Sequence, residues 1–466
     1  METTQPSFFE KLNSWMRNSL TFKLFTIGFL ILILLIPISM IQSIINERKN
    51  LRDNATREIS SKWGSDQAIG GPIISIPYRE MVKNQDTKTE ESVLRYAHFL
   101  PEKLAITGDI QTEQRKRGIY TVVLYNSKLS INGSFTKLDF EKLDIDASKL
   151  ELNNAFVSLG ISDLKGVREK IILTLNGADY ALDPGIISHD VFNSGISIPV
   201  KINPSGGMDF KVNLDLNGSS SIYFLPFGKE TTVNLTSKWG SPSFEGSFLP
   251  DTRTVEASGF KASWKVLHLN RNYPQQGTGS FVNTHDLQNI NKNNYYGGEA
   301  ASASGSEAAE FGVRLMLPVD EYLKTTRSAK YSVMFVVLTF LVVFFSEILR
   351  GVRVHAIQYL LVGFAISLFY LLLLSFSEHS SFNKAYLISC SVILALIAFY
   401  VHAIFKNKTA TVVITAALGI LYGFFYALLQ LEEYALLLGS MGLLLILAGI
   451  MYLTRNIDWY NIRKQA

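Results

Sequence analysis

The sequence contains a single cysteine among 466 residues, and Cys390 lies inside an apolar run. A disulfide scaffold is therefore excluded, as is a paired Cys-x-x-Cys site. Charge is also scarce: 18% of residues are Asp, Glu, Lys or Arg, against about 25% in an ordinary soluble domain. Glycine follows no period, which excludes collagen, and an aromatic content of 12% excludes a disordered chain. There is no P-loop, no G-x-S-x-G and no H-E-x-x-H. The seven histidines, His98, His189, His268, His285, His355, His379 and His402, are not spaced as metal ligands. Catalytic residues, a metal and a cofactor are accordingly all expected to be none.

What the chain does have is long hydrophobic runs. About 20 apolar residues cross the ~30 Å of bilayer hydrocarbon, and six segments qualify. They are residues 23–45, 331–349, 356–377, 385–405, 409–431 and 434–454, nearly free of formal charge apart from Lys23 and Glu347. Their continuous rather than alternating apolar character selects helices over barrel strands. The first run is too long for a cleaved signal and no A-x-A-like site follows it, so it reads as an uncleaved anchor.

Charge location gives an orientation. The net charge of +4 has no source in residues 46–330, which hold 33 cations and 33 carboxylates. The excess sits beside the spans. Lys11, Arg17, Lys23, Arg350, Arg353, Lys406, Lys408, Arg455, Arg463 and Lys464 fall on one side. The short loops of the other side carry Lys384 against Glu378, Glu432 and Glu433. With Arg350, Arg353, Lys406, Lys408 and Arg455 as the topology-determining residues, the positive-inside rule places both termini in the cytoplasm and residues 46–330 outside. The charge reports orientation, and no nucleic-acid partner is expected; the bilayer is. The tail 1–22 reads either as an interfacial helix, with Phe8, Leu12, Trp15 and Met16 on one face, or as a frayed lead-in. Residues 455–466 form a second tail.

Residues 46–330 have β character. Tyr120–Ile131, Lys211–Leu216, Thr231–Leu235 and Ser263–Leu269 alternate or are β-branched, and Asn132-Gly133, Asn176-Gly177 and Asn217-Gly218 carry hairpin chemistry. The expected fold is a six-helix membrane bundle plus a mainly β domain, an antiparallel sandwich or barrel of one or two modules. A helix over Asn46–Ser61 would extend the first span outward. Ser61-Lys62-Trp63-Gly64-Ser65 recurs at Ser237–Ser241, and Phe99-Leu100-Pro101 at Phe248–Pro250, so duplication and coincidence both stay open. Residues 272–310, rich in Asn, Gly, Ser and Ala, read as a mobile loop.

Ionisable groups at membrane depth are the best functional candidates. Glu378, His379, Gln430, Glu432 and Glu433 close spans on the outer side and read either as a polar cap that docks the outer domain or a ligand, or as solvated helix ends. Glu347 is expected to pair with Arg350 one turn later, with Gln358 and Tyr359 near.

The sequence also resembles the CreD family of bacterial inner-membrane proteins. Leu35-Ile36-Pro37-Ile38, Gly71-Pro72 and Ile76-Pro77, Arg117-Gly118-Ile119-Tyr120, and Trp239 with Pro242-Ser243-Phe244, Gly246 and Phe248-Leu249-Pro250 carry the likeness in the first part. Pro318-Val319-Asp320, Gln358–Gly363, Ser377-Glu378-His379, Tyr434–Leu437 and Asp458-Trp459-Tyr460 carry it in the second; the insertion near 291–306 departs from it. The resemblance implies a role in envelope integrity, colicin tolerance and a two-component response to cell-wall stress, with no catalytic residues. The expected activity is non-enzymatic, with an unidentified envelope protein or cell-wall component as partner. Two alternatives are a transporter or lipid-handling bundle and a membrane-embedded enzyme built on the outer-face carboxylates.

Overall fold

The computed structural model describes residues 20–83, 90–282, 309–317, 321–431 and 434–455. The tail expected to lie in the interface, most of the 272–310 stretch, and Glu432 and Glu433 fall outside these residues. The chain divides into two units, Asp53–Pro318 and the remainder.

Among the described residues, six helices are long and apolar enough to cross a membrane. The first, Leu20–Trp63, is continuous through Pro37 and includes the helix expected over 46–61. The others are Ser332–Arg350, Ala356–Ser377, Phe382–Phe405, Lys408–Gln430 and Ala435–Thr454. Hydrocarbon offers backbone groups no partner, so each run closes its own i to i−4 ladder. Asn407 caps the fifth span by accepting from the Thr409 and Ala410 N–H groups at 2.9 and 3.2 Å. A short lead-in helix, Glu321–Lys330, precedes the second span and buries Thr325, Ser328 and Ala329.

Lipid tails are as apolar as leucine, so these helices associate through close packing rather than through expulsion of water. Gly363 of the third span shows this. A Cβ there would lie 2.1 Å from Cδ1 of Leu34, a fully buried side chain of the first span. At the bundle centre the ring of Phe369 packs against Tyr370, Tyr386 and Tyr422 with centroids 5.0–5.4 Å apart.

In the β unit, one sheet runs in the order Pro242–Gly246, Phe311–Leu315, Ser221–Phe224, Gln67–Lys83, Phe156–Ile161, Gly195–Pro199 and Asp183–Pro184, with Glu90–Phe99 and Gln276–Thr278 added beside Gln67–Lys83. The other runs Thr252–Glu256, Gly259–Leu267, Glu230–Ser237, Lys103–Arg117, Tyr120–Phe135, Met208–Ser219, Ile172–Leu175 and Ala178–Ala181. Each sheet joins the earlier and later parts of the unit through a parallel pair, Gln67 with Ile222 and Lys103 with Glu230, and the remaining ladders are antiparallel. The prospect of two modules thus resolves into one unit with one apolar core, to which both sheets contribute. Inward residues alternate along Lys103–Ile110, while Gln67–Tyr78 is buried on both faces. Phe192 covers the central strands: a Cβ at Gly160 would lie 2.4 Å from its ring and one at Gly70 2.9 Å.

Of the Asn-Gly pairs, Asn176-Gly177 alone forms the expected turn, with φ of 49° and 81° as a type I′ hairpin requires. Asn132-Gly133 and Asn217-Gly218 lie within strands. Their glycines serve close approach instead: a Cβ would sit 2.5 Å from the Phe210 ring at Gly133 and 2.3 Å from the Tyr125 hydroxyl at Gly218. The repeated pentapeptide ends a helix in one copy and a strand in the other. Its tryptophans nevertheless act alike, each bracing a neighbouring backbone: Trp63 donates to the Tyr125 carbonyl at 3.3 Å and Trp239 to the Met316 carbonyl at 2.9 Å. The described start of the 272–310 stretch is ordered, since Tyr273 is buried and Gln276–Thr278 pairs with the Glu90–Phe99 strand.

Candidate functional site

Of the helix-end residues expected to form an outer polar cap, Glu378, His379 and Gln430 are among the described residues, and each has a partner of its own. Glu378 follows the third span and forms an ion pair with Arg48 of the first, Oε1 to Nε 3.7 Å. Gln430 accepts from Lys324 of the lead-in helix at 3.2 Å and donates to the Asn383 side chain. His379 is exposed, with Nδ1 3.2 Å from the Ser375 carbonyl of its own helix. No metal-ligating group of three His, Cys, Asp or Glu occurs among the described residues.

At the opposite end, Arg350, Arg353, Lys406, Lys408 and Arg455 are all exposed at helix termini or in loops. Arg455 stacks over the Tyr452 ring at 4.2 Å. Glu347 does not pair with Arg350. It is buried and takes Lys23 of the first span as its ion partner, with further hydrogen bonds from the Val354 N–H at 3.1 Å and the Tyr359 hydroxyl at 2.8 Å. A buried carboxylate needs several donors, and Arg350 points to water whereas Lys23 is within reach. The first span is therefore tied to the second at one end and to the residue that follows the third at the other. Lys23 and Arg48 are 25 residues apart in one helix, or ~37 Å at 1.5 Å per residue. That exceeds the ~30 Å hydrocarbon thickness, so both pairs can sit in the polar interfaces.

The β unit contains two polar constellations that sequence motifs do not signal. Ser75 and His98 face each other across an antiparallel ladder, with Ser75 Oγ 2.8 Å from His98 Nδ1. His98 Nε2 lies 3.1 Å from Asp190 Oδ2. The composition is that of a nucleophilic triad, but its polarity is reversed: Ser75 and His98 are buried, while Asp190 is the partly exposed member. A hydrolase needs the serine at the surface and the acid behind. Here Phe281 stacks on His98 at 5.9 Å, and the chain of hydrogen bonds pins the segment around Asp190 to the sheet. Ser75 and His98 become findable once strand register is known; Asp190, far away in sequence, does not.

The second constellation is Asp66, Tyr223, Glu245 and Arg314. Arg314 Nε lies 2.9 Å from Glu245 Oε2, which also accepts from the Tyr223 hydroxyl at 3.0 Å. Burial pushes the Asp66 carboxyl up to about 6, against the opposing pull of Arg314. Burial likewise pushes Tyr223 up to about 12.

A family profile described as "Inner membrane protein CreD" matches residues 19–460. The chain is also 33% identical over 450 residues to the inner membrane protein CreD of Escherichia coli (strain K12), covering 96% of this chain and 95% of that relative.

Proposed function

This chain belongs to the CreD family of inner membrane proteins, and on that premise we propose that it maintains the cell envelope as a non-enzymatic interaction protein. In this reading both termini are cytoplasmic and residues 46–330 form a periplasmic domain that binds an envelope protein or cell-wall component. The helical bundle anchors that domain in the bilayer. The observation that carries the reading is positional. The β unit is inserted between the first and second spans, and the exposed cations Arg350, Arg353, Lys406, Lys408 and Arg455 all belong to the opposite helix ends, which the positive-inside rule assigns to the cytoplasm. The reversed burial of Ser75, His98 and Asp190 weighs against hydrolysis at that triad. Of the residues on which the outer-face enzyme reading rests, Glu378 pairs with Arg48 and His379 lies against the Ser375 carbonyl, while Glu432 and Glu433 lie outside the described residues.

Photo-crosslinking from the exposed Leu249 and Leu269, in cells under cell-wall stress, tests the interaction reading. A discrete crosslinked species is expected; none from either position, with the protein present and folded, would overturn it. A transport or lipid-handling reading has one supporting observation: the hydroxyls of Thr339, Ser389 and Tyr422 are buried without partners among the described residues. Thr339→Val, Ser389→Ala and Tyr422→Phe together preserve envelope function on the interaction reading and abolish it on the transport reading.

A further inference from the structure

The hairpin formed by Lys103–Arg117 and Tyr120–Phe135 turns at Gly118-Ile119. Gly118 has φ +59°, the first turn position that a type II′ hairpin reserves for glycine. Just before the turn the chain carries Arg115-Lys116-Arg117. These residues line a cavity of about 260 Å³ together with Glu58, Ile59, Lys62 and Trp63 from the end of the first helix. Four cations thus meet one carboxylate, within residues 46–330 whose charges sum to zero.

Three of the four cations are held by their surroundings. The Arg115 guanidinium lies 4.2 Å from the Trp63 ring centroid and pairs with Glu113 outside the cavity. A guanidinium held by a ring face and one carboxylate still has free N–H donors in its plane. Glu58 is divided between Lys62 at 2.9 Å and Arg117 at 2.8 Å. Lys116 has no ion-pair partner among the described residues and is exposed. Glu58 already supplies the single negative charge that a monocarboxylate ligand would bring. What remains unmet is a surplus of guanidinium and ammonium donors, which suits an oxyanion of higher charge and several acceptor oxygens. At roughly 30 Å³ per water, the cavity has room for such a group with a short polar extension.

We propose that this cavity binds a phosphate group, with Arg115 and Lys116 as its principal donors and Arg117 and Lys62 drawn in from Glu58. The proposal names the ligand class of the β domain and rests on the reading of that domain as a binding module. The phosphate belongs either to a soluble phosphoester or to a lipid headgroup.

The test uses the full-length protein in dodecyl maltoside, a detergent without phosphate, and follows calorimetric titration at constant ionic strength. Inorganic phosphate is expected to bind saturably, and chloride is not. Arg115→Gln with Lys116→Gln, both exposed and outside the core, is expected to weaken binding at least ~tenfold. Glu58→Gln, which removes the competing carboxylate, is expected to tighten it. Dihexanoyl phosphatidylglycerol binding more tightly than glycerol phosphate assigns the group to lipid; equal binding assigns it to a soluble phosphoester. No saturable phosphate binding, or binding unchanged in Arg115→Gln/Lys116→Gln, overturns the proposal. Loss of crosslinked partners with phosphate binding intact would count against the interaction reading alone.

Discussion

Replacing Gly363 by alanine should loosen the first span from the third. The added methyl would sit 2.1 Å from Leu34 Cδ1 and 3.1 Å from its Cγ and Cδ2. Carbon atoms pack at about 3.5–4.0 Å, so the side chain or the helix must retreat by roughly 1.5 Å at the nearest atom. Leu34 is fully buried, so its side chain can yield only by moving within packed surroundings. Overpacking of this kind costs about 1–3 kcal/mol. The loss is not offset by expulsion of water, because the alternative neighbour of each helix is lipid. Unfolding in mixed SDS micelles, followed by tryptophan fluorescence, measures the change. Leu34→Ala combined with Gly363→Ala provides the control: the methyl then fills space vacated by Leu34. The double variant should be more stable than the sum of the single effects predicts, by about 1–2 kcal/mol. Wild-type stability in Gly363→Ala, or strict additivity in the cycle, would refute the packing argument.

Glu347→Gln leaves Lys23 without its ion partner and should destabilise the bundle by roughly 1–3 kcal/mol, below the 3–5 typical of a broken buried pair because Lys23 can extend toward water. Lys23→Met with Glu347→Met should cost less, by the same SDS unfolding measurement. In the β unit, the hydrogen bond with His98 holds the Asp190 carboxyl below its ordinary value. Its stabilisation is therefore present above the unfolded carboxyl range and lost as pH falls through the folded value. Asp190→Asn should lower stability at neutral pH by about 1–3 kcal/mol and flatten acid unfolding monitored by circular dichroism; an unchanged acid limb would count against a stabilising His98–Asp190 hydrogen bond. Asp66 has the opposite sign. With its carboxyl raised to about 6, the folded state binds the proton more tightly than the unfolded state, so stability falls as pH rises from about 4 to 6. Asp66→Asn should stabilise the β unit above pH ~7 by up to roughly 3 kcal/mol, in urea titrations across pH, and remove that slope. A destabilised variant that keeps the slope would contradict this.

The six spans were legible because a bilayer requires continuous apolar runs, and the strands around Lys211–Leu216 and Glu230–Ser237 because one face of each is wet. Asn132-Gly133 misled because glycine answers two demands, a turn or a close approach, and the Phe210 ring that requires the second lies far away in sequence. The Glu347 partner was misread for a similar reason. Arg350 is close in sequence, but Lys23, 324 residues away, is the cation that packing delivers. His98 was visible without its role, since Ser75 depends on strand register and Asp190 on the folding of a distant segment. The basic turn Arg115–Arg117 was readable as charge. Its cavity required knowing that the Lys103–Arg117 strand ends beside Trp63.

The proposed periplasmic placement of the β domain is tested most directly by fusions of alkaline phosphatase after residues 150, 353 and 407. The enzyme is active only outside the cytoplasm, so activity is expected at 150 and absent at 353 and 407. Activity at 353 or 407, or silence at 150 with the fusion stably made, would contradict it.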